Sequence, residues 1–165
     1  MEGKVIIGID VGKKGGFCKY YIESDEILYW PMPIQGKEYD IQEMIEILTP
    51  YKDEEVIHVI IENVHAIQGR AGASSNFSFG LGKGILMGLV HALGHRYTLV
   101  TPVTWQKIAW EGVTRQADNK KTSLIAAKRL FPGKDFIATP RSRVPHDGIV
   151  DAALMAYYGK IKYTL

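Results

Sequence analysis

Residues 4–22 read KVIIGIDVGKKGGFCKYYI, and the fold is decided here. Val5, Ile6, Ile7 and Ile9 are β-branched and broken only by Gly8, which predicts a central strand buried on both faces that ends on a carboxylate, Asp10. The turn residues Gly12-Lys13-Lys14-Gly15-Gly16 follow, and Phe17 to Ile22 return as the second strand of a hairpin. Cys18, the one cysteine, lies inside that return strand and reads as a small buried hydrophobe without a disulfide partner.

Outward from the hairpin, Ile27 to Trp30 predicts a third strand, closed by Pro31 and Pro33. Asp40 and Glu43 form a capping box, and Ile41, Met44, Ile45 and Leu48 continue at helical spacing up to Pro50. Val56 to Ile61 repeats the pattern of the first strand and runs into a second carboxylate, Glu62. The Gly, Ala and Ser residues from Ala66 to Asn76 predict a loop, and Phe77 to Leu93 a helix containing Gly80, Gly82, Gly84 and Gly88. Each of those glycines costs about 1 kcal/mol against alanine, so close packing on that backbone is expected. Phe77, Phe79 and Trp105 are expected in the core. Tyr97 to Val100 is a further strand. Thr101 and Pro102 open a helix, a second runs from Lys120 to Phe131, and the last runs from near Pro145 to Tyr158 with Gly159 as its stop. The order predicts an α/β fold, a mixed central β-sheet flanked by α-helices.

The 165 residues fit one domain, 1–165, and 46% hydrophobic with 23% charged residues excludes disorder, coiled coil and collagen. No stretch approaches the roughly 18 apolar residues of a membrane span, and the opening apolar run is shorter than a signal-peptide core, so a cytoplasmic protein with no membrane association is expected. Net charge is +2, unevenly spread. Residues 23–62 carry eleven acids against Lys37 and Lys52, whereas residues 102–145 carry nine bases against Glu111, Asp118 and Asp135. The later region is a candidate polyanion surface, and the acidic stretch is expected to lie away from it, Glu62 excepted.

Asp10 and Glu62 each end an apolar strand, where an ionised carboxylate costs several kcal/mol unless a cation is close. Asp147 and Asp151 stand four apart and therefore on one helix face, where like charges repel. Asp147 also suits the first turn of a helix, and His146 reads either as a helix-start residue or as a proton-transfer partner. Hard oxygen donors from two strand ends and one helix, without a cysteine or a His pair, fit Mg²⁺ or Mn²⁺ rather than zinc.

The stretches IGIDVGKKGGF, VIIENVHAIQGRAGASSNFSFGLGKGI, VTPVTWQK, KKTSLIAAKRLFP and HDGIVDAALMAYYG resemble, in order and spacing, RuvC-type Holliday-junction resolvases, especially the compact bacteriophage versions. The resemblance spans nearly the whole chain. It implies an RNase H-like fold, a homodimer, a place in the bacterial cytoplasm or the phage-infected host cell, and Mg²⁺-dependent cutting of paired strands at four-way DNA junctions, with Mn²⁺ as a substitute. By position, Asp10 matches the first-strand acid, Glu62 the central-strand acid, and Asp147 and Asp151 the acids opening the last helix. The resemblance leaves both His146 and Asp147 as partners for Asp151. Lys107 and Lys121 match positions facing DNA, Lys120 is expected to hold the backbone beside them, and His65 falls where some members carry an aromatic wedge. Asp10 would bridge two ions, with Glu62 on one side and Asp147 and Asp151 on the other.

An actin-like nucleotide-binding protein would share the opening Gly-Ile-Asp-x-Gly but needs two domains. A general RNase H-like nuclease acting on branched DNA or RNA:DNA hybrids, and a non-catalytic branched-DNA-binding module, remain the alternatives.

Overall fold

The computed structural model of the protein describes residues 3–64 and 72–164. Strands β1 (Gly3–Asp10), β2 (Gly16–Tyr21) and β3 (Ile27–Pro31) form an antiparallel meander. A short hairpin, β4 (Ile34–Gln35) with β5 (Glu38–Tyr39), leads into α1 (Ile41–Leu48). β6 (Glu54–Glu62), α2 (Ala73–Ala92), β7 (Tyr97–Val100), α3 (Pro102–Ala109), α4 (Asn119–Leu130) and α5 (Asp147–Tyr163) follow. The five-stranded sheet has the order β3-β2-β1-β6-β7, with β6 parallel to β1 and β7 parallel to β6. The mixed sheet flanked by helices is the architecture expected from the sequence.

β1 separates two cores. Ile6 packs with Ile60, Trp105, Ile149 and Leu154 on the side of α3, α4 and α5, whereas Ile7 and Ile9 pack with Phe17, Met44, Leu48, Leu86 and Val90 on the side of α1 and α2. Because both faces are dry, the strand has no polar alternation, and each buried isoleucine contributes about 1.5–3 kcal/mol. Cys18 is fully buried and its thiol pKa is driven upward by that burial, in keeping with a packing role.

Two glycines let α5 lie directly on the sheet. A Cβ at Gly8 would stand 2.1 Å from the Ala152 carbonyl oxygen, and one at Gly148 would stand 2.3 Å from that of Lys14. The start of α5 is thereby pressed against the end of β1 and the β1–β2 turn.

Four expectations are corrected. α2 begins at Ala73, so residues 73–76 form its first turn rather than a loop. Of its glycines only Gly82 is closely packed, against the Tyr39 ring at 2.4 Å, while Gly80, Gly84 and Gly88 meet nothing within 4 Å and lie on the exposed side. Phe77 is 73% exposed on the same helix and is not core. α5 continues through Gly159 to Tyr163, because that glycine makes room for Ile6 and Ile60, whose side chains would stand 2.6 and 2.7 Å from a Cβ.

The acidic stretch also hides a buried pair. Lys19 Nζ donates to Glu54 Oε2 at 2.8 Å with both side chains fully buried. The Tyr21 hydroxyl and the Tyr51 backbone N–H donate to the same carboxylate, and the Tyr51 ring lies 4.2 Å from the ammonium. Glu54 is thus a structural acid joining β6 to β2, not a solvent-facing charge. Among the described residues no helix is long and apolar enough to cross a membrane.

Candidate active site

Parallel pairing of β1 with β6 sets Ile9 beside Ile61, so the next residues, Asp10 and Glu62, emerge side by side at one end of the sheet. They share a hydrogen bond. Burial holds the Asp10 carboxyl well above the usual carboxylate range, and the charges of Glu62, Asp151 and Asp147 push it further. Glu62 is also raised by burial, opposed by hydrogen bonds from Trp105 and Asp10. The Trp105 indole Nε1 donates to Glu62 Oε1 at 3.1 Å inside the protein.

α5 brings the other two acids. Asp151 is pushed up to about 7, mainly by burial, while a hydrogen bond from the Ser123 hydroxyl of α4 opposes the rise. Asp147, in the first turn, forms an ion pair with Lys120 at 2.7 Å, the two side chains being 55% and 68% exposed. His146 is the N-cap of α5, its Nδ1 accepting from the Ile149 backbone N–H at 3.3 Å, and burial holds its pKa below the ordinary histidine value. Of the two residues beside Asp151, Asp147 is the one whose charge acts on both Asp10 and Asp151.

Asp10, Asp147 and Asp151 line an open cleft of about 810 Å³ together with His146 and Lys120. Sequence reasoning did not single out its other lining residues: Lys13 and Lys14 from the β1–β2 turn, Tyr39, and Ser74, Ser75 and Ser78 from the first turns of α2. The two lysines were signalled, since a turn that directly follows Asp10 must border whatever Asp10 borders. Lys107 and Lys121 are exposed on α3 and α4 and do not line the cleft. His65 lies outside the described residues.

Among the described residues no three His, Cys, Asp or Glu side chains stand ready-made around a common cation position. The donor chemistry nevertheless suits a hard divalent cation: every acidic donor is a carboxylate oxygen, and Asp10, Glu62 and Asp151 carry raised pKa values. Among the described residues the cation that acts on Asp151 is Lys120, which is itself bonded to Asp147.

No family model and no curated protein matches this chain. Solved structures do. Thermus thermophilus RuvC in complex with a Holliday junction substrate superposes with a TM-score of 0.66 at 13% identity, covering 93% of this chain and 91% of that one. Thermus thermophilus RuvC alone gives 0.60 at 16% identity over 96% and 97% of the two chains. The yeast mitochondrial Holliday junction resolvase Ydc2 gives 0.59 at 15% identity over 96% and 78%. The chain has the fold of these structures, a mixed sheet with helices on both faces, over almost its whole length.

Proposed function

We propose that this chain is a structure-specific DNA endonuclease that resolves Holliday junctions, and possesses activity on other branched DNA, by metal-dependent phosphodiester hydrolysis. The observation that carries the reading is the convergence of Asp10, Asp147 and Asp151 on one cleft, with Glu62 hydrogen-bonded to Asp10 behind it, in a fold shared with a RuvC solved on a Holliday junction substrate. In this reading 1–165 is a single nuclease domain working in the cytoplasm of a bacterium or of a phage-infected host cell. A non-catalytic DNA-binding module would gain nothing from mutually repelling acids, since they also repel phosphate.

Asp10, Glu62, Asp147 and Asp151 would hold Mg²⁺, with Mn²⁺ as a substitute. When bound, divalent ions supply a deprotonated water and stabilise the leaving oxygen. To hold an ion, Asp10 and Glu62 would have to lose the proton between them, and Asp147 would have to leave its ion pair with Lys120. Lys120, once released, joins Lys121 and Lys107 in holding the DNA backbone, which sets position rather than sequence. Lys13 and Lys14 also line the cleft and extend that cationic border. His65 is assigned to the junction centre on the family resemblance alone. His146 caps α5 and keeps Asp147 and Asp151 in place.

Release of a four-way junction requires two cuts, and one carboxylate cluster per chain supports a homodimer. The exposed face of α2, with Phe77, Leu81 and the glycines Gly80, Gly84 and Gly88, offers a surface on which two helices approach closely. Cleavage of labelled four-way, Y-shaped and linear DNA and an RNA:DNA hybrid, with and without Mg²⁺, tests the proposal. Metal-dependent, paired cuts confined to branched DNA are expected. Preferential cutting of the hybrid would instead identify a general RNase H-like nuclease.

A further inference from the structure

We infer that Trp105 is a positioning residue for Glu62: its indole N–H fixes the carboxylate in the orientation that receives a divalent cation. The inference rests on the reading of Glu62 as a metal ligand. Trp105 is fully buried, Glu62 is 9% exposed, and their hydrogen bond spans 3.1 Å between α3 and the end of β6. Nothing in the mechanism above uses this contact.

A buried indole N–H needs an acceptor, and several backbone carbonyls or a hydroxyl would serve packing equally well. A carboxylate that must keep lone pairs for a cation is a costly choice, unless the bond does something for the carboxylate. Indole suits that task for two reasons. It is neutral and does not titrate, so it orients the carboxylate without cancelling the charge that attracts the ion; the ammonium of Lys120 on Asp147 does cancel it. It is also immobile: the ring is wedged in the core on the side of α5 and meets Trp110 edge to face, with centroids 6.2 Å apart. Glu62 occupies one oxygen with this fixed donor and turns the rest of the group toward Asp10. Hydrogen bonds of this kind to ligating carboxylates commonly change metal affinity by about 10- to 100-fold.

The test uses the whole chain with Trp105→Phe, which keeps an aromatic ring and deletes the N–H. Mn²⁺ binding to the DNA-free protein is measured by the loss of free-ion electron paramagnetic resonance signal, with Glu62→Gln as reference. We expect Mn²⁺ affinity to fall by about 10- to 100-fold, and the metal concentration for half-maximal junction cleavage to rise by a similar factor. Junction binding without metal should not change. An affinity within about twofold of wild type would overturn the inference and leave Trp105 a packing residue. Should the phenylalanine variant lose its fold, incorporation of the benzothienyl analogue at position 105 replaces N–H by sulfur at nearly constant shape, and the same affinity decides. If Glu62→Gln leaves Mn²⁺ binding intact, Glu62 is no ligand and the inference falls with that assignment. If wild type binds Mn²⁺ through Glu62 yet cuts no junction, only the substrate reading fails.

Discussion

Gly8 of β1 and Ala152 of α5 touch backbone to backbone: a Cβ on the glycine would stand 2.1 Å from the Ala152 carbonyl oxygen and 2.6 Å from the Ala156 nitrogen. This contact sets the height of α5 above the sheet. Asp10 lies two residues beyond Gly8 and Asp151 one residue before Ala152, so the same contact brings the two carboxylates together.

Gly8→Ala should therefore damage activity beyond its effect on stability. Backbone cannot yield as a side-chain tip does, so α5 must lift, at a cost of about 1–3 kcal/mol or more. Denaturant unfolding gives the stability loss, and Mn²⁺ affinity under conditions where the variant is fully folded gives the site effect. A folded variant with wild-type affinity would show that the spacing of α5 from β1 does not tune the site.

The strands that build the site were legible in the sequence because burial on both faces leaves a simple signature, an unbroken apolar run, and Asp10 and Glu62 interrupt it conspicuously. Asp147 and Asp151 were legible through helical spacing. Trp105 and Ser123, which hydrogen-bond Glu62 and Asp151, were not. Their partners lie 43 and 28 residues away in the chain, and a buried aromatic or serine on a helix looks the same whether its polar atom meets backbone or a carboxylate. Gly159 misled for a related reason. Glycine ends a helix when the backbone turns left-handed, but it also continues one where Ile6 and Ile60 leave no room for a side chain. The burial of Lys19 and Glu54 leaves no mark in the sequence, because only the tertiary fold pairs them.

Stability of the metal-free protein should fall as pH rises through neutrality. The folded Asp151 carboxyl has its pKa raised to about 7, while the unfolded one releases its proton near the ordinary aspartate value of 3.8. A raised folded value means that the folded state holds the proton longer; the contribution is fully present below the unfolded pKa and is lost as pH climbs through about 7. Asp10 and Glu62 are raised too and act in the same direction. His146 and His58 are lowered and act oppositely, but their effect is complete above about pH 6.5. Urea unfolding in a chelator should show a decline that runs from about pH 6.5 and levels off above about pH 8, on the order of 1 kcal/mol from Asp151 with Asp10 and Glu62 adding to it, reduced by added Mg²⁺. A flat metal-free profile would mean that the acids are already neutralised within the protein.

Lys19→Met should be among the most destabilising single changes in the chain. It leaves Glu54 buried with two hydrogen-bond donors but no cation, a situation that costs about 3–5 kcal/mol. Glu54→Gln keeps the side chain's shape but leaves the ammonium without its counter-ion, and should cost a similar amount. Thermal or denaturant unfolding measures both. A loss below about 1 kcal/mol for either would mean that the pair is hydrated in solution.

His146 and Asp147 should separate by the kind of damage their substitution causes. His146→Ala removes an N-cap and should cost about 1 kcal/mol of stability, which His146→Asn restores because asparagine caps as well. Asp147→Asn should leave stability unchanged and slow cleavage. If His146→Asn were stable but inactive, proton transfer by the imidazole would replace capping as its role.

Lys120 and Lys121 should reveal themselves in salt dependence rather than in stability. The Lys120–Asp147 pair is exposed and worth little to folding, so the double change to alanine should leave the melting temperature nearly unaltered. Each lost phosphate contact should make the slope of log junction affinity against log salt shallower by roughly 1. Lys107→Ala should add a further decrement of the same size. An unchanged slope for the double variant would put both α4 lysines on a face that DNA does not reach.

Symmetry provides the most demanding test, because in the proposed reading one cleft cuts one strand. Asp151→Asn keeps the side chain's size and its place beside Ser123 while removing the charge, so a protomer carrying it should still assemble and still bind a junction. Mixed with wild type, it should form dimers with one working cleft, which nick a junction once and then hold or release it half cut. A singly nicked junction should accumulate in proportion to the mixed species, peaking at equal subunit ratios, and sedimentation of the wild type on junction DNA should show two chains per junction. Cleavage that simply scaled with the wild-type fraction, with no singly nicked product, would mean that paired cuts come from independent encounters of single chains. The exposed face of α2 would then have no partner to meet, and the protein would be a branched-DNA nuclease acting alone at each strand.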